Sequence, residues 1–122
     1  MATIQEDYTP VFVGNTGTLF APVFRHRDNT PVDLTGCTLS MKMELYQSID
    51  SGIDVGTIKT CSGPWTITDA ANGGAYYRYQ TADVNTAGVW NLWIKITDAF
   101  GRPVHADDGT GAPKRLHIFS AP

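Results

Sequence analysis

Charge is scarce in this chain, and cysteine and long apolar runs are scarcer still. Asp, Glu, Lys and Arg make up 17% of the 122 residues, below the ~25% usual in soluble proteins. A low charge count on a strand-rich chain fits either a surface covered by something else or a water-facing one rich in Thr, Ser and Asn. The nine Lys and Arg residues are scattered and the net charge is −3. Without a basic patch, nucleic acid has no electrostatic footprint here. The aromatics are not interleaved with a basic stripe, which argues against a single-strand binder. Only Cys37 and Cys61 carry thiols, and neither belongs to a CxxC pair, so metal-ligand spacing is missing. The two could join strands as one disulfide. The reading as reduced, partly buried apolar residues fits better, because two cysteines are not the dense pattern of a secreted scaffold. No apolar run approaches the ~20 residues that span a bilayer. The N-terminal MATIQEDYTP lacks the basic and apolar regions of a secretory signal, so synthesis and assembly in a cytoplasm are expected.

Helical periodicity is lacking as well, and period 2 takes its place. In Thr38–Tyr46, Leu39, Met41, Met43 and Leu45 fall on one face, and Ser40, Lys42 and Glu44 on the other. In Val89–Thr97, Trp90, Leu92, Ile94 and Ile96 form a core face, with Asn91, Trp93, Lys95 and Thr97 opposite. Further strands are expected over Tyr8–Val13, Leu19–His26, Thr57–Cys61, Trp65–Thr68, Ala75–Tyr79, Val104–Ala106 and Lys114–Ser120. Both faces of Leu19–His26 are apolar, which suggests cover on both sides. Turn signals separate the runs: Gly14–Gly17, Arg27–Pro31, Asn72-Gly73 and Asp98–Pro103. Thr81–Gly88 has room for one helical turn capped by Thr81. This spacing predicts one domain, an immunoglobulin-like antiparallel β-sandwich of about seven to nine strands spanning residues 1–122. Residues 1–7 and 120–122 are expected to be flexible arms, and 47–56 a mobile loop rich in Ser, Gly and Asp.

Little in the chain points to catalysis. Asp107 and Asp108 sit in a Gly-rich loop near His105, but the spaced acidic ligands of a calcium loop are missing. Gly109, Gly111 and Lys114 form only a faint phosphate-loop pattern, without the strand and helix such a loop needs. His26, His105 and His117 are far apart, and no nucleophile elbow is present. A non-enzyme without a metal or cofactor is therefore expected. Trp93 stands out instead. Strand parity puts this large aromatic on the outer face beside Asn91 and Lys95, as a candidate contact for a partner subunit or a sugar ring. Tyr76 and Arg78 could extend that patch if their strand is adjacent, and Phe119 near the C-terminal edge is a third candidate.

The order of the turns resembles a known family, that of the N-terminal domain of the phage baseplate upper protein. A first strand leads to Gly14-Asn15-Thr16-Gly17. Arg27-Asp28-Asn29-Thr30-Pro31-Val32-Asp33-Leu34-Thr35-Gly36 is similar to that family's D-x-x-G-x-P-V-D-L-T-G. A strand of alternating apolar residues follows. Thr66-Ile67-Thr68-Asp69 with Gly73-Gly74 matches its I-x-D-x-x-x-G, and Asp83–Gly88 with a following aromatic matches its D-x-x-x-x-G-x-Y/W. The Phe100-Gly101-Arg102-Pro103 turn comes last. The resemblance covers roughly residues 8–119. Asn29 replaces the usual glycine, and Asn also tolerates a left-handed turn.

The resemblance implies a structural protein of a bacteriophage virion. The expected role is an adaptor, joint or decorating subunit of the tail, baseplate, neck or capsid that could anchor a fibre, since no shaft or receptor-binding module is seen. The implied partners are other virion proteins and further copies of the chain in a symmetric ring, with neither nucleic acid nor membrane involved. A carbohydrate-binding module on the same sandwich is the alternative, with Trp93, Tyr76 or Tyr77 as stacking platforms.

Overall fold

β-branched and aromatic residues suit a pleated surface, and their alternation with polar residues yields eleven strands among the described residues. These are β1 (Ala2–Gln5), β2 (Val11–Phe12), β3 (Leu19–Phe20), β4 (Val23–His26), β5 (Thr38–Ser48), β6 (Ile58–Cys61), β7 (Trp65–Asp69), β8 (Gly74–Arg78), β9 (Gly88–Thr97), β10 (Pro103–Asp107) and β11 (Lys114–Phe119). The computed structural model describes residues 2–5, 11–14, 16–17, 19–48, 55–107 and 111–120.

The chain is an all-β sandwich. One layer runs β6–β5–β9, all antiparallel. On the far side of β9, β11 pairs with Gly88–Leu92 and β10 with Ile94–Thr97. β2 joins β11 in parallel. The other layer is built on β8, with β7 on one side and β3 and β4 sharing the other. β1 lies antiparallel to β4 and parallel to β10, and so links the layers along one edge.

The two clearest patterns fall as their parity requires. Met41, Met43 and Leu45 of β5 and Trp90, Leu92, Ile94 and Ile96 of β9 are buried, facing Phe20, Phe24, Ala75, Tyr77 and Tyr79 of the other layer. Trp65 packs among Phe20, Phe24 and Tyr77, with ring centroids 5.4–6.3 Å away.

Several expectations are corrected. The strand count is higher, partly because Ala21-Pro22 divides the second run into β3 and β4; proline has no N–H for the ladder. That run is not covered on both sides: Phe20, Pro22 and Phe24 are buried, whereas Leu19 and Ala21 are exposed. The expected arm over residues 1–7 contains β1, hydrogen-bonded on both sides. Gln47 and Ser48, assigned to the loop over 47–56, extend β5, and Val55-Gly56 is a turn; residues 49–54 of that loop lie outside the described residues. So do Tyr8–Pro10 of the first expected strand and residues 121–122 of the C-terminal arm. Cys37 and Cys61 are free thiols, Cys61 buried in the core. Asn29 adopts φ +70°, the left-handed conformation expected of it. Gly73 closes the turn after the 3₁₀ segment Ala70–Asn72, at φ +75°. A side chain there would collide with the Phe24 carbonyl oxygen.

The crossing from β8 to β9 forms no helix. Asp83, not Thr81, organises it. The buried Asp83 carboxylate accepts the Tyr77 hydroxyl at 2.7 Å and the Gln80 N–H at 2.8 Å through the same oxygen. The Tyr77 hydroxyl in turn accepts the Gly63 N–H at 3.1 Å. From β6, the Lys59 ammonium donates to the Ala82 carbonyl at 2.9 Å and to Asn85 Oδ1 at 2.5 Å. It also lies 4.8 Å from the Trp90 ring centroid. The segment that carries the chain between layers is thus held from both sides, which sets the register at which β9 begins.

Two outcomes follow for stability. Tyr77→Phe keeps the ring but leaves the buried Asp83 oxygen short of a donor. It is expected to lower unfolding free energy by about 1–3 kcal/mol, read from urea denaturation. Burial first, then the Asp83 charge, pushes the Cys61 thiol up to about 12; burial and the hydrogen bond to Asp83 also raise Tyr77. The unfolded thiol ionises near ~8.5. Above that pH the native state therefore holds more protons than the unfolded state, and stability falls as pH rises. Denaturation midpoints are expected to drop between pH ~8.5 and ~11, and less steeply in Cys61→Ala.

Candidate functional site

The outer face of the β6–β5–β9–β11 layer gathers most of the exposed aromatic surface. Cross-strand register decides its neighbours. Lys42 lies opposite Trp93, Glu44 opposite Asn91, and Ser40 opposite Lys95. On the other side of β9, His105 lies opposite Lys95, and Arg115 opposite Asn91. Directly opposite residues bring their Cβ atoms within about 4.5–5.5 Å, so these side chains form one surface.

Trp93 is 41% exposed, in accord with its outward parity. Its indole N–H donates to Glu44 Oε1 at 3.3 Å, and Asn91 Nδ2 donates to the same oxygen at 3.3 Å. The register slips between Leu45 and Gln47, a bulge that re-aims the chain. Tyr46, at this bulge, meets the Arg115 guanidinium, whose carbon lies 3.6 Å from the ring centroid. The pair meets across β9 at the level of Asn91, which is only 8% exposed despite its outward parity. Farther along β11, His117 stacks on Phe119 with centroids 4.1 Å apart, and Phe119 lies 5.8 Å from Phe12. Phe12 and Tyr46 are exposed, and Phe119 is half-buried.

Two polar atoms on this face are buried without a hydrogen-bond partner among the described residues: Asn91 Oδ1 and His117 Nε2. An orphaned buried acceptor costs about 1–3 kcal/mol. Beside Trp93 lies a depression of about 120 Å³ lined by Ser40, Met41, Lys42, Trp93, Lys95 and His105. A larger one, about 180 Å³, opens at one end of the sandwich between Val32, Ile96 and Val104. The two carboxylates on its rim already serve local turns. Asp33 accepts from Thr35, and Asp98 from the Phe100 and Arg102 N–H groups and the Arg102 side chain. These bonds hold both carboxyls below their ordinary value.

Trp93, Asn91, Lys95 and Phe119 therefore share one face. Tyr76 and Arg78 do not join them. Their strand, β8, belongs to the opposite layer, and with Tyr77 facing the core they project from the other side of the sandwich. Arg78 lies opposite Leu19 and Tyr76 opposite Thr66. Of the acidic loop weighed for a metal, Asp108–Thr110 lie outside the described residues. Asp107 is buried and forms an ion pair with Arg27 at 3.0 Å. Among the described residues no group of three or more His, Cys, Asp or Glu side chains could hold a metal ion. Sequence reasoning missed Tyr46, Arg115, His105 and Phe12 as members of the face; only strand pairing brings them to Trp93.

No protein-family model matches the chain, and no curated protein or solved structure is detectably similar to it. No helix among the described residues is long and apolar enough to cross a membrane.

Trp93→Ala removes a half-exposed side chain whose one hydrogen bond is long. Its unfolding free energy is expected to stay within about 1 kcal/mol of the parent, checked by chemical denaturation, so the variant serves as a probe of binding and not of folding.

Proposed function

We propose that the chain is a structural protein of a bacteriophage virion, an immunoglobulin-like module that docks other virion proteins through the outer face of the β5–β9–β11 layer. The observation that carries this reading is the face itself. Trp93, Tyr46 and Phe12 stand exposed on it, and two buried polar atoms of the same face, Asn91 Oδ1 and His117 Nε2, have no hydrogen-bond partner among the described residues. Exposed aromatics gathered on one face of a sheet mark an interaction surface. A docked partner would cover the exposed rings. The turn order that resembles the baseplate family supports the virion setting; Asn29, which stands where that family usually has glycine, adopts a left-handed conformation. Virion parts repeat by symmetry, so a ring or other closed oligomer of this chain in the assembled virion is part of the proposal.

The carbohydrate alternative has less support, because Tyr76 and Tyr77 do not share Trp93's face: Tyr77 is buried and Tyr76 lies on the opposite side.

Mass by light scattering, read beside binding to a glycan array, tests the proposal. A defined oligomer that weakens in Trp93→Ala, with no glycan signal, is the expected result. A monomer that binds sugar and loses it in Trp93→Ala would overturn it.

A further inference from the structure

The depression beside Trp93 differs in character from the exposed aromatics elsewhere on this face. Its polar lining is Ser40 from β5, Lys42 from β5, Lys95 from β9 and His105 from β10, with the Trp93 ring as a wall. Lys95 is flanked directly by Ser40 and His105, and Lys42 lies diagonally from it across the β5–β9 ladder. Diagonal neighbours are about 7–8 Å apart, within reach of long side chains. Two lysines and a histidine thus line one small hollow. Like charges in that arrangement repel, unless an anion sits between them.

Among the described residues, no carboxylate lines the depression: Glu44 accepts from Asn91 and Trp93 through Oε1, and Asp107 is paired with Arg27. The Lys42 and Lys95 side chains form no hydrogen bond or ion pair among the described residues. The chain as a whole is acidic, at −3, so this cluster of cations runs against the general charge.

We infer that this depression is an anion-binding site that takes a carboxylate side chain, Asp or Glu, of a docked protein. The identification of the carrier as a protein rests on the docking role proposed above; the anion site rests on the geometry of the depression. Size selects the occupant. About 120 Å³ is well short of the roughly 300–1,000 Å³ of pockets that enclose small molecules, and suits the tip of one side chain better than a sugar ring. Lysine binds a carboxylate as a point charge, and the serine hydroxyl and imidazole N–H add directed donors. Trp93 would lie against the aliphatic stem of the bound residue.

The test is an NMR titration of the isotope-labelled full chain with a capped tetraglutamate peptide. A capped tetraglutamine peptide and glucuronate are the comparison probes. Saturable shifts are expected at the amides of Lys42, Trp93, Lys95 and His105 and at the Trp93 indole. They should be lost with the glutamine peptide and weakened when salt is raised from about 0.05 M to about 0.5 M. Lys42→Gln/Lys95→Gln, whose spectrum reports that it is folded, should bind about fivefold more weakly, while Lys114→Gln binds as the parent does. No saturable shift at these residues, unchanged affinity in the double variant, or glucuronate binding tighter than the peptide would each overturn the inference. The oligomer mass and its response to Trp93→Ala are read without any anion probe. A failed titration beside an oligomer weakened by Trp93→Ala removes the anion site and leaves the docking face standing.

Discussion

The buried hydrogen bond between Tyr77 and Asp83 is the constraint from which the rest of the structure takes its register. A sandwich must carry its chain from one layer to the other without leaving polar backbone unpaired. Here the crossing is short, from the end of β8 to Gly88, and it runs over the edge of the core. Asp83 turns back to bind both the tyrosine behind it and the Gln80 N–H, so a carboxylate replaces the backbone partners that a helix or strand would offer. Lys59 secures the same segment from the other layer and shields Trp90. β9 then starts at a fixed position, with Trp90 inward and Trp93 outward. A slip by one residue would exchange the two tryptophans and bury Lys95.

The two long central strands of one layer, β5 and β9, were the most legible in the sequence. β5 and β9 alternate cleanly because one face of each is sealed by the opposite layer while the other stays accessible, and their core residues are the ones that parity assigns. Legibility fell where the cause was tertiary. Nothing local in Ala2–Gln5 marks it as a strand; its pairing comes from β4 and β10, both distant in the chain. Thr81 offers the local signature of a cap, yet Asp83 wins because the buried Tyr77 hydroxyl needs an acceptor. The Asn29 turn was legible because a left-handed residue imposes its own chemistry.

The functional face was half legible. Parity placed Trp93, Asn91, Lys95 and Phe119 outward, but it cannot say which strands lie side by side. Arg115 and Tyr46 are far apart in sequence and meet only because β11 and β5 flank β9 and a bulge turns Tyr46 toward the pair. Tyr76 and Arg78 failed for the same reason: their own parity was read correctly, but their strand lies in the other layer. The anion-binding depression draws on three strands, and so no motif announces it.

The central claim is that one face of the sandwich is the working one. Hydroxyl-radical footprinting, comparing the dilute chain with the chain in its assembled form, addresses it directly. Protection is expected at Trp93, Tyr46 and Phe12, with Tyr76 and Phe100 oxidised equally in both states. Protection at Tyr76 and Leu19, with Trp93 and Tyr46 unchanged, would contradict the account and place the contact on the opposite layer.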